Sequence, residues 1–212
     1  MTNTILLDPS GRRLENIFYP KDLDHLRSLG TIIWDKNEQM PEAEIEAVRK
    51  DIDIIITGSW RYGDVSAFPR LRAILEVSGG FPSPSALDYD HCFSHGIRVL
   101  SCAPAFAPAV AEMGLTLALA SARQVVSNHE AFRNGKANWS HTDPGDTFTM
   151  YNKPVGFIGF GGLARSLKPL IAPFRCPIQV YDPWLTDSYL RTQGVEPADL
   201  VTVLSKSRFV FV

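Results

Sequence analysis

The sequence predicts an α/β protein built from two parallel-sheet units in succession. Three observations predict it. Short β-branched, apolar runs alternate with helical patterns through the first half of the chain. Several of those runs, Ile54-Ile55-Ile56 among them, are continuous rather than alternating, as in a parallel sheet covered on both faces. Later, the apolar run Val155-Gly156-Phe157-Ile158 feeds directly into the glycine-rich turn Gly159-Phe160-Gly161-Gly162-Leu163-Ala164.

In order along the chain, strands are expected at 4–7, 31–34, 52–57, 73–77 and 97–101. Helices are expected near 23–29, 42–50, 65–68 and 87–95. Five such βα units imply a flavodoxin-like, doubly wound first domain over residues 1–103. A long helix is expected from about 108 to 134, then a polar loop holding Trp139, His141, Pro144 and Gly145. The second domain, 104–212, continues with strands at 154–158 and 178–181, helices at 186–193 and 197–204, and a last strand at 209–212. Dinucleotide-binding domains are normally built from two βαβαβ halves. Only the first half is expected here, so the chain reads as truncated at its C-terminus.

The turn after 158 carries the chemistry. Gly159 allows a tight strand-to-helix turn, Gly161 leaves the backbone open to a pyrophosphate, and Ala164 fills the helix-packing position. Phosphates would rest on the free N–H groups and positive end of the following helix. Asp182 closes the next strand about twenty residues on, where an acid accepts hydrogen bonds from an adenosine ribose. The rival reading makes Asp182 a cap of the segment that follows it. A carboxylate there favours NAD over NADP, and Pro183, Trp184 and Leu185 supply no cation to reverse that choice.

Composition excludes several classes. Lys and Arg total 21 against 23 Asp and Glu, so there is no basic excess for nucleic acid. The N-terminus has no charged region followed by a long apolar run, so no signal peptide is read there. The apolar stretch 104–122 is interrupted by Pro104, Pro108 and Glu112, and reads as a buried helix rather than a membrane span. Cys92, Cys102 and Cys176 are odd in number and widely spaced, which points to reduced thiols in a cytoplasm and to no metal site. The five histidines show no metal-ligand spacing either.

From about Ile52 onward the chain resembles the NAD-dependent D-isomer-specific 2-hydroxyacid dehydrogenases. The resemblance rests on three blocks: residues 71–80 with Ser78-Gly79-Gly80, residues 96–101 with Val110-Ala111-Glu112-Met113, and the glycine turn with Val180-Tyr181-Asp182-Pro183. It implies a flavodoxin-like substrate domain, a Rossmann cofactor domain and an oxidoreductase acting on a small 2-hydroxy or 2-keto acid. It also implies that Gly159, Phe160, Gly161, Gly162, Leu163, Ala164 and Asp182 line the NAD site, with Val110 near the nicotinamide. Backbone N–H groups of Ser78, Gly79 and Gly80 would receive the substrate carboxylate, although the same residues could form an ordinary turn. The family's catalytic Arg, Glu and His are expected beyond Val212, so no catalytic residue is assigned and the chain alone is expected to be inactive. A homodimer through the cofactor domain is implied, using the Ala-rich helix and the 135–152 loop. The alternative is a non-catalytic NAD(H)-binding module that senses redox state, because the fold serves both roles. Two departures stand out: Phe81-Pro82-Ser83-Pro84-Ser85-Ala86 interrupts the substrate loop, and Pro169 sits inside the turn's helix.

Overall fold

The computed structural model describes residues 2–9, 11–137 and 147–212. They form two compact units, Met1–Ala105 and Phe106–Val212. Trp139, His141, Pro144 and Gly145 lie outside the described residues.

The first unit runs β1 (Asn3–Asp8), α1 (Leu14–Ile17), α2 (Pro20–Ser28), β2 (Gly30–Trp34), α3 (Glu42–Val48), β3 (Ile54–Thr57), β4 (Ala73–Glu76), α4 (Tyr89–Ser94) and β5 (Arg98–Ser101). The strands pair in parallel in the order β2-β1-β3-β4-β5, the flavodoxin-like order. Continuous apolar runs make this sheet possible, because each strand must satisfy two cores. Leu6, Ile55 and Ile74 face one core, with Trp60, Phe68 and Leu87. Ile5, Leu7 and Ile56 face the other. Local chemistry sets the helix starts: Pro20 opens α2, and the Asp88 carboxylate accepts from the His91 N–H at 2.9 Å to open α4. The expected helix at 65–68 is a single 3-10 turn, Val65–Ala67, opened by Asp64.

Each edge of this sheet carries buried carboxylates. At the N-terminal edge Asp53 accepts from the Thr4 N–H at 2.8 Å and pairs with Arg70 at 3.1 Å. Burial pushes the Asp53 pKa up, but the Thr4 N–H and Arg70 together outweigh it and hold the carboxyl below its usual value. At the C-terminal edge Asp8, Thr57 and Glu76 stand in one register row, all buried. Asp8 is paired with Arg61 and accepts from the Tyr62 hydroxyl at 3.0 Å. Burial pushes that phenol well above the ordinary tyrosine range.

The second unit takes in most of α5 (Ala103–Ala122), then α6 (Val125–Arg133), β6 (Val155–Ile158), α7 (Gly162–Ile171), β7 (Ile178–Tyr181), α8 (Asp187–Thr192), β8 (Glu196–Pro197), α9 (Leu200–Lys206) and β9 (Phe209–Phe211). All pairs are parallel, in the order β8-β7-β6-β9. This is the first half of a Rossmann sheet plus the strand that crosses to the other side of β6. Its core gathers Phe157, Phe160, Leu167, Ile171, Val180 and Leu190.

Three expectations need correction here. The helix expected over 108–134 is two helices, because Gln124 adopts φ 49°, a left-handed conformation that ends α5. α5 is also not a buried helix: Ala107, Ala111 and Ala122 are buried, while Phe106, Val110, Met113 and Leu117 are exposed. Among the described residues it alone is long and apolar enough to cross a membrane by length and composition. Finally, β8 is a strand that the sequence hides, since two residues ending in Pro197 carry no periodicity. Pro169, by contrast, does not stop α7, which runs on to Ile171 and a 3-10 turn.

Cys92 is buried in the first unit's core, and burial pushes its thiol pKa up. Cys176 is half-buried in the second unit; burial raises its thiol pKa too, and its Sγ donates to the Met150 carbonyl at 3.3 Å.

Close packing of α9 on β6 depends on Gly156. A Cβ there would lie 2.5 Å from Ser207 Oγ and 2.7 Å from Val203 Cγ1. Gly156→Ala should therefore push α9 off the sheet and destabilise the fold by about 1–3 kcal/mol. A denaturant melt of the variant reads this directly, and an unchanged midpoint would contradict the packing.

Candidate functional site

β6 delivers the chain into the glycine turn at the C-terminal edge of its sheet, where open α/β sheets bind ligands. Gly159 has φ +86°, a conformation that side chains resist, and its N–H donates to the Tyr181 carbonyl at 2.7 Å. A Cβ built on Gly159, Gly161 or Gly162 meets nothing within 4 Å. The turn thus presents bare backbone to open space. No side chain caps α7, and the N–H groups of Gly162, Leu163 and Ala164 have no protein acceptor among the described residues. Unpaired N–H groups at the positive end of a helix are an anion cradle, and a pyrophosphate suits it.

Beside this cradle lies an apolar groove of about 280 Å³. Val110, Ala111 and Gly114 of α5 line it together with Gly159, Gly161, Gly162, Leu163, Ala164, Leu167 and Phe211. Most of the expected cofactor residues are therefore brought together, Val110 included. Asp182 and Phe160 do not line it. The Phe160 ring is buried in the core, its N–H donates to Asp182, and its carbonyl accepts from Arg165 Nε at 3.0 Å. It shapes the turn from behind and offers no group to a ligand.

Asp182 lies on the β7 side of the turn. Its Oδ2 accepts from the Phe160 N–H at 2.8 Å, while Oδ1 accepts from the N–H groups of Trp184 and Leu185 at 2.9 and 3.0 Å. It caps its own following segment and clamps the glycine turn as well. Oδ1 has both lone pairs engaged, which leaves Oδ2 with one for a ribose hydroxyl. Burial alone would raise its pKa, yet the three N–H donors and Arg165 together bring it below the usual carboxylate value.

Sequence reasoning missed Arg165, the cation whose field reaches Asp182, because a single Arg inside an amphipathic helix carries no motif. It also missed Ala111, Gly114, Leu167 and Phe211 as groove walls. The four-residue spacing of Val110 and Gly114, which puts both on one face of α5, was the available signal.

In the first unit, Ser78-Gly79-Gly80 follows β4 after one residue, Val77. The Ser78 hydroxyl donates to Glu76 Oε1 at 2.5 Å, and the Gly80 N–H donates to Ser78 Oγ at 3.2 Å. The Ser78 carbonyl accepts from the Cys102 N–H at 2.9 Å. The N–H groups of Ser78 and Gly79 remain without an acceptor among the described residues. The inserted 81–86 segment is tied down by Tyr89, whose hydroxyl donates to the Pro82 carbonyl at 2.7 Å. Among the described residues no cluster of His, Cys, Asp and Glu could hold a metal.

A parallel sheet with an uncapped glycine turn and a terminal acid defines the dinucleotide-binding Rossmann class. Within that class, residues 115–212 match the NAD binding domain of the D-isomer specific 2-hydroxyacid dehydrogenases. Over that segment the chain is similar to that family, and the cofactor of the matching domain is NAD(H). It is 25% identical over 187 residues to the glyoxylate reductase of Pyrococcus furiosus, covering 84% of this chain and 54% of that protein. It is also 25% identical over 177 residues to the hydroxypyruvate reductase of Thermotoga maritima, covering 82% of this chain and 55% of that one. A solved phosphoglycerate oxidoreductase from Rhizobium etli superposes with a TM-score of 0.79 at 32% identity, over 99% of this chain and 64% of that one. The chain thus spans about half the length of the curated relatives it matches.

The clamp at Asp182 has a pH signature. Its folded pKa lies below the unfolded value of about 3.9, so its stabilisation is fully present above that pH. The stabilisation is lost as the pH falls through the folded pKa. Asp182→Asn would set an amide N–H against a backbone donor and should cost about 1–3 kcal/mol at neutral pH. It should also flatten the loss of stability below about pH 4. Urea melts at pH 7 and pH 3 check both, and an unchanged midpoint at pH 7 would remove the clamp.

Proposed function

We propose that this chain is part of an NAD-dependent oxidoreductase that interconverts a 2-hydroxy acid and its 2-keto acid. The open glycine turn carries the reading: bare backbone and unpaired N–H groups at the start of α7, beside an apolar groove and next to Asp182. In this reading the N–H groups of Gly162, Leu163 and Ala164 hold the pyrophosphate, and Asp182 Oδ2 accepts from the adenosine ribose. Val110 and Leu163 keep water from the nicotinamide, while Gly159 and Gly161 let the backbone approach. NAD(H), when bound, takes or gives the hydride.

Residues 104–212 then serve as the cofactor domain and residues 1–103 as the substrate domain. There the free N–H groups of Ser78 and Gly79 orient the substrate carboxylate, with Gly80 buttressing the loop through Ser78 Oγ. The exposed apolar side chains of α5 support a homodimer. Three unpaired cysteines support a reducing cytoplasm.

The test is cofactor choice and turnover in the polypeptide as its organism makes it. NADH fluorescence should show saturable binding, and glyoxylate or hydroxypyruvate should oxidise it. NADPH should bind at least about tenfold more weakly, since Asp182 repels a 2′-phosphate. Asp182→Arg should move that ratio toward NADPH. Equal affinity for the two cofactors in the unmutated protein would defeat the Asp182 assignment, and failure of every 2-keto acid would defeat the reaction.

A further inference from the structure

The ribose end of the cofactor site holds a cation as well as an acid. Arg165, in the first turn of α7, is exposed to solvent. Its Nε donates to the Phe160 carbonyl at 3.0 Å, and its guanidinium lies over the Tyr189 ring of α8, 5.6 Å from the ring centre. These two contacts fix a long side chain that would otherwise move freely.

The cation and the acid hold the same residue from two sides. The Phe160 N–H donates to Asp182, while the Phe160 carbonyl accepts from Arg165. The charge of Arg165 is felt at the acid. Burial raises the Asp182 pKa, the three backbone N–H donors lower it, and Arg165 lowers it further.

Neither side chain neutralises the other by direct contact. Among the described residues Asp182 accepts only from backbone N–H groups. The two terminal nitrogens of Arg165 have no protein acceptor among the described residues. Arg191, on the same helix as Tyr189, is paired instead with Glu196 at 3.4 Å. Arg165 thus presents an open guanidinium edge beside the carboxylate assigned to the ribose.

We propose that Arg165 is a second specificity residue of this subsite: its free guanidinium edge takes up a 2′-phosphate on the adenosine ribose, so that NADP(H) is graded below NAD(H) rather than shut out. This rests on the cofactor part of the reading above and is independent of the substrate. Asp182 repels a 2′-phosphate, whereas an Arg grips phosphate oxygens with two parallel N–H donors. Discrimination is then a difference between two opposed terms.

NADH and NADPH differ only in the 2′-phosphate, and fluorescence titration of the polypeptide with each is the test. The unmutated protein should bind NADPH about tenfold to a hundredfold more weakly than NADH. Arg165→Met should widen that gap by about a further tenfold. Arg165→Lys keeps the charge without the fork, and its gap should fall between the two. Losing the Phe160 anchor weakens both cofactors alike, so a purely structural role leaves the ratio unmoved. A thermal melt establishes that each variant is folded. If neither is, the unmutated protein decides: NADPH binding within the stated range supports the proposal, and exclusion of NADPH by a protein that binds NADH overturns it. An unchanged ratio in the folded Arg165→Met variant also overturns the role of Arg165, and leaves the cofactor site standing. If NADH itself does not bind, the cofactor reading fails and this proposal with it.

Discussion

The carboxylate of Asp182 is the constraint on which the second unit's site depends. By accepting from Phe160 across the turn and from Trp184 and Leu185 along its own strand end, it fastens the ends of β6 and β7 into one rigid edge. Gly159 adds a bond to the Tyr181 carbonyl from the other side. With the turn held from both directions, α7 starts where its first N–H groups point into open space rather than at a capping side chain. Leaving those groups uncapped weakens the helix, and stability is set aside for a charge that comes from outside.

The first unit obeys a different electrostatic rule at each edge. At the N-terminal edge Asp53 is saturated by Thr4 and Arg70, a closed arrangement that pins β1 against β3 and has no capacity left. At the C-terminal edge Asp8 Oδ1 and Glu76 Oε2 are buried without a hydrogen-bond partner, at the end of the sheet where open α/β folds bind ligands.

Much of this was legible in the sequence, and for physical reasons. Continuous runs such as Ile54-Ile55-Ile56 can satisfy only a doubly covered strand, so the parallel order of the first unit followed. Gly159 and Ala164 marked a turn whose geometry admits few residues, and Asp182 fell at the spacing set by one βα unit. Other features left no trace. The break at Gln124 depends on a backbone angle that no glycine or proline announces. β8 is too short to show a period, and its pairing with β7 is dictated by the strand already in place. Phe160 looked like a member of the cofactor site because it sits inside the motif, yet its ring is buried in the core.

The cysteines give the two units separate chemical clocks. Cys92 lies in the first unit's core and Cys176 is half-buried in the second, each with its thiolate disfavoured by burial. A thiol reagent in excess would modify each one chiefly when its own surroundings open. Pulse alkylation followed by peptide mapping would then time the opening of each unit from a single sample, and show whether a nucleotide that slows one clock leaves the other running.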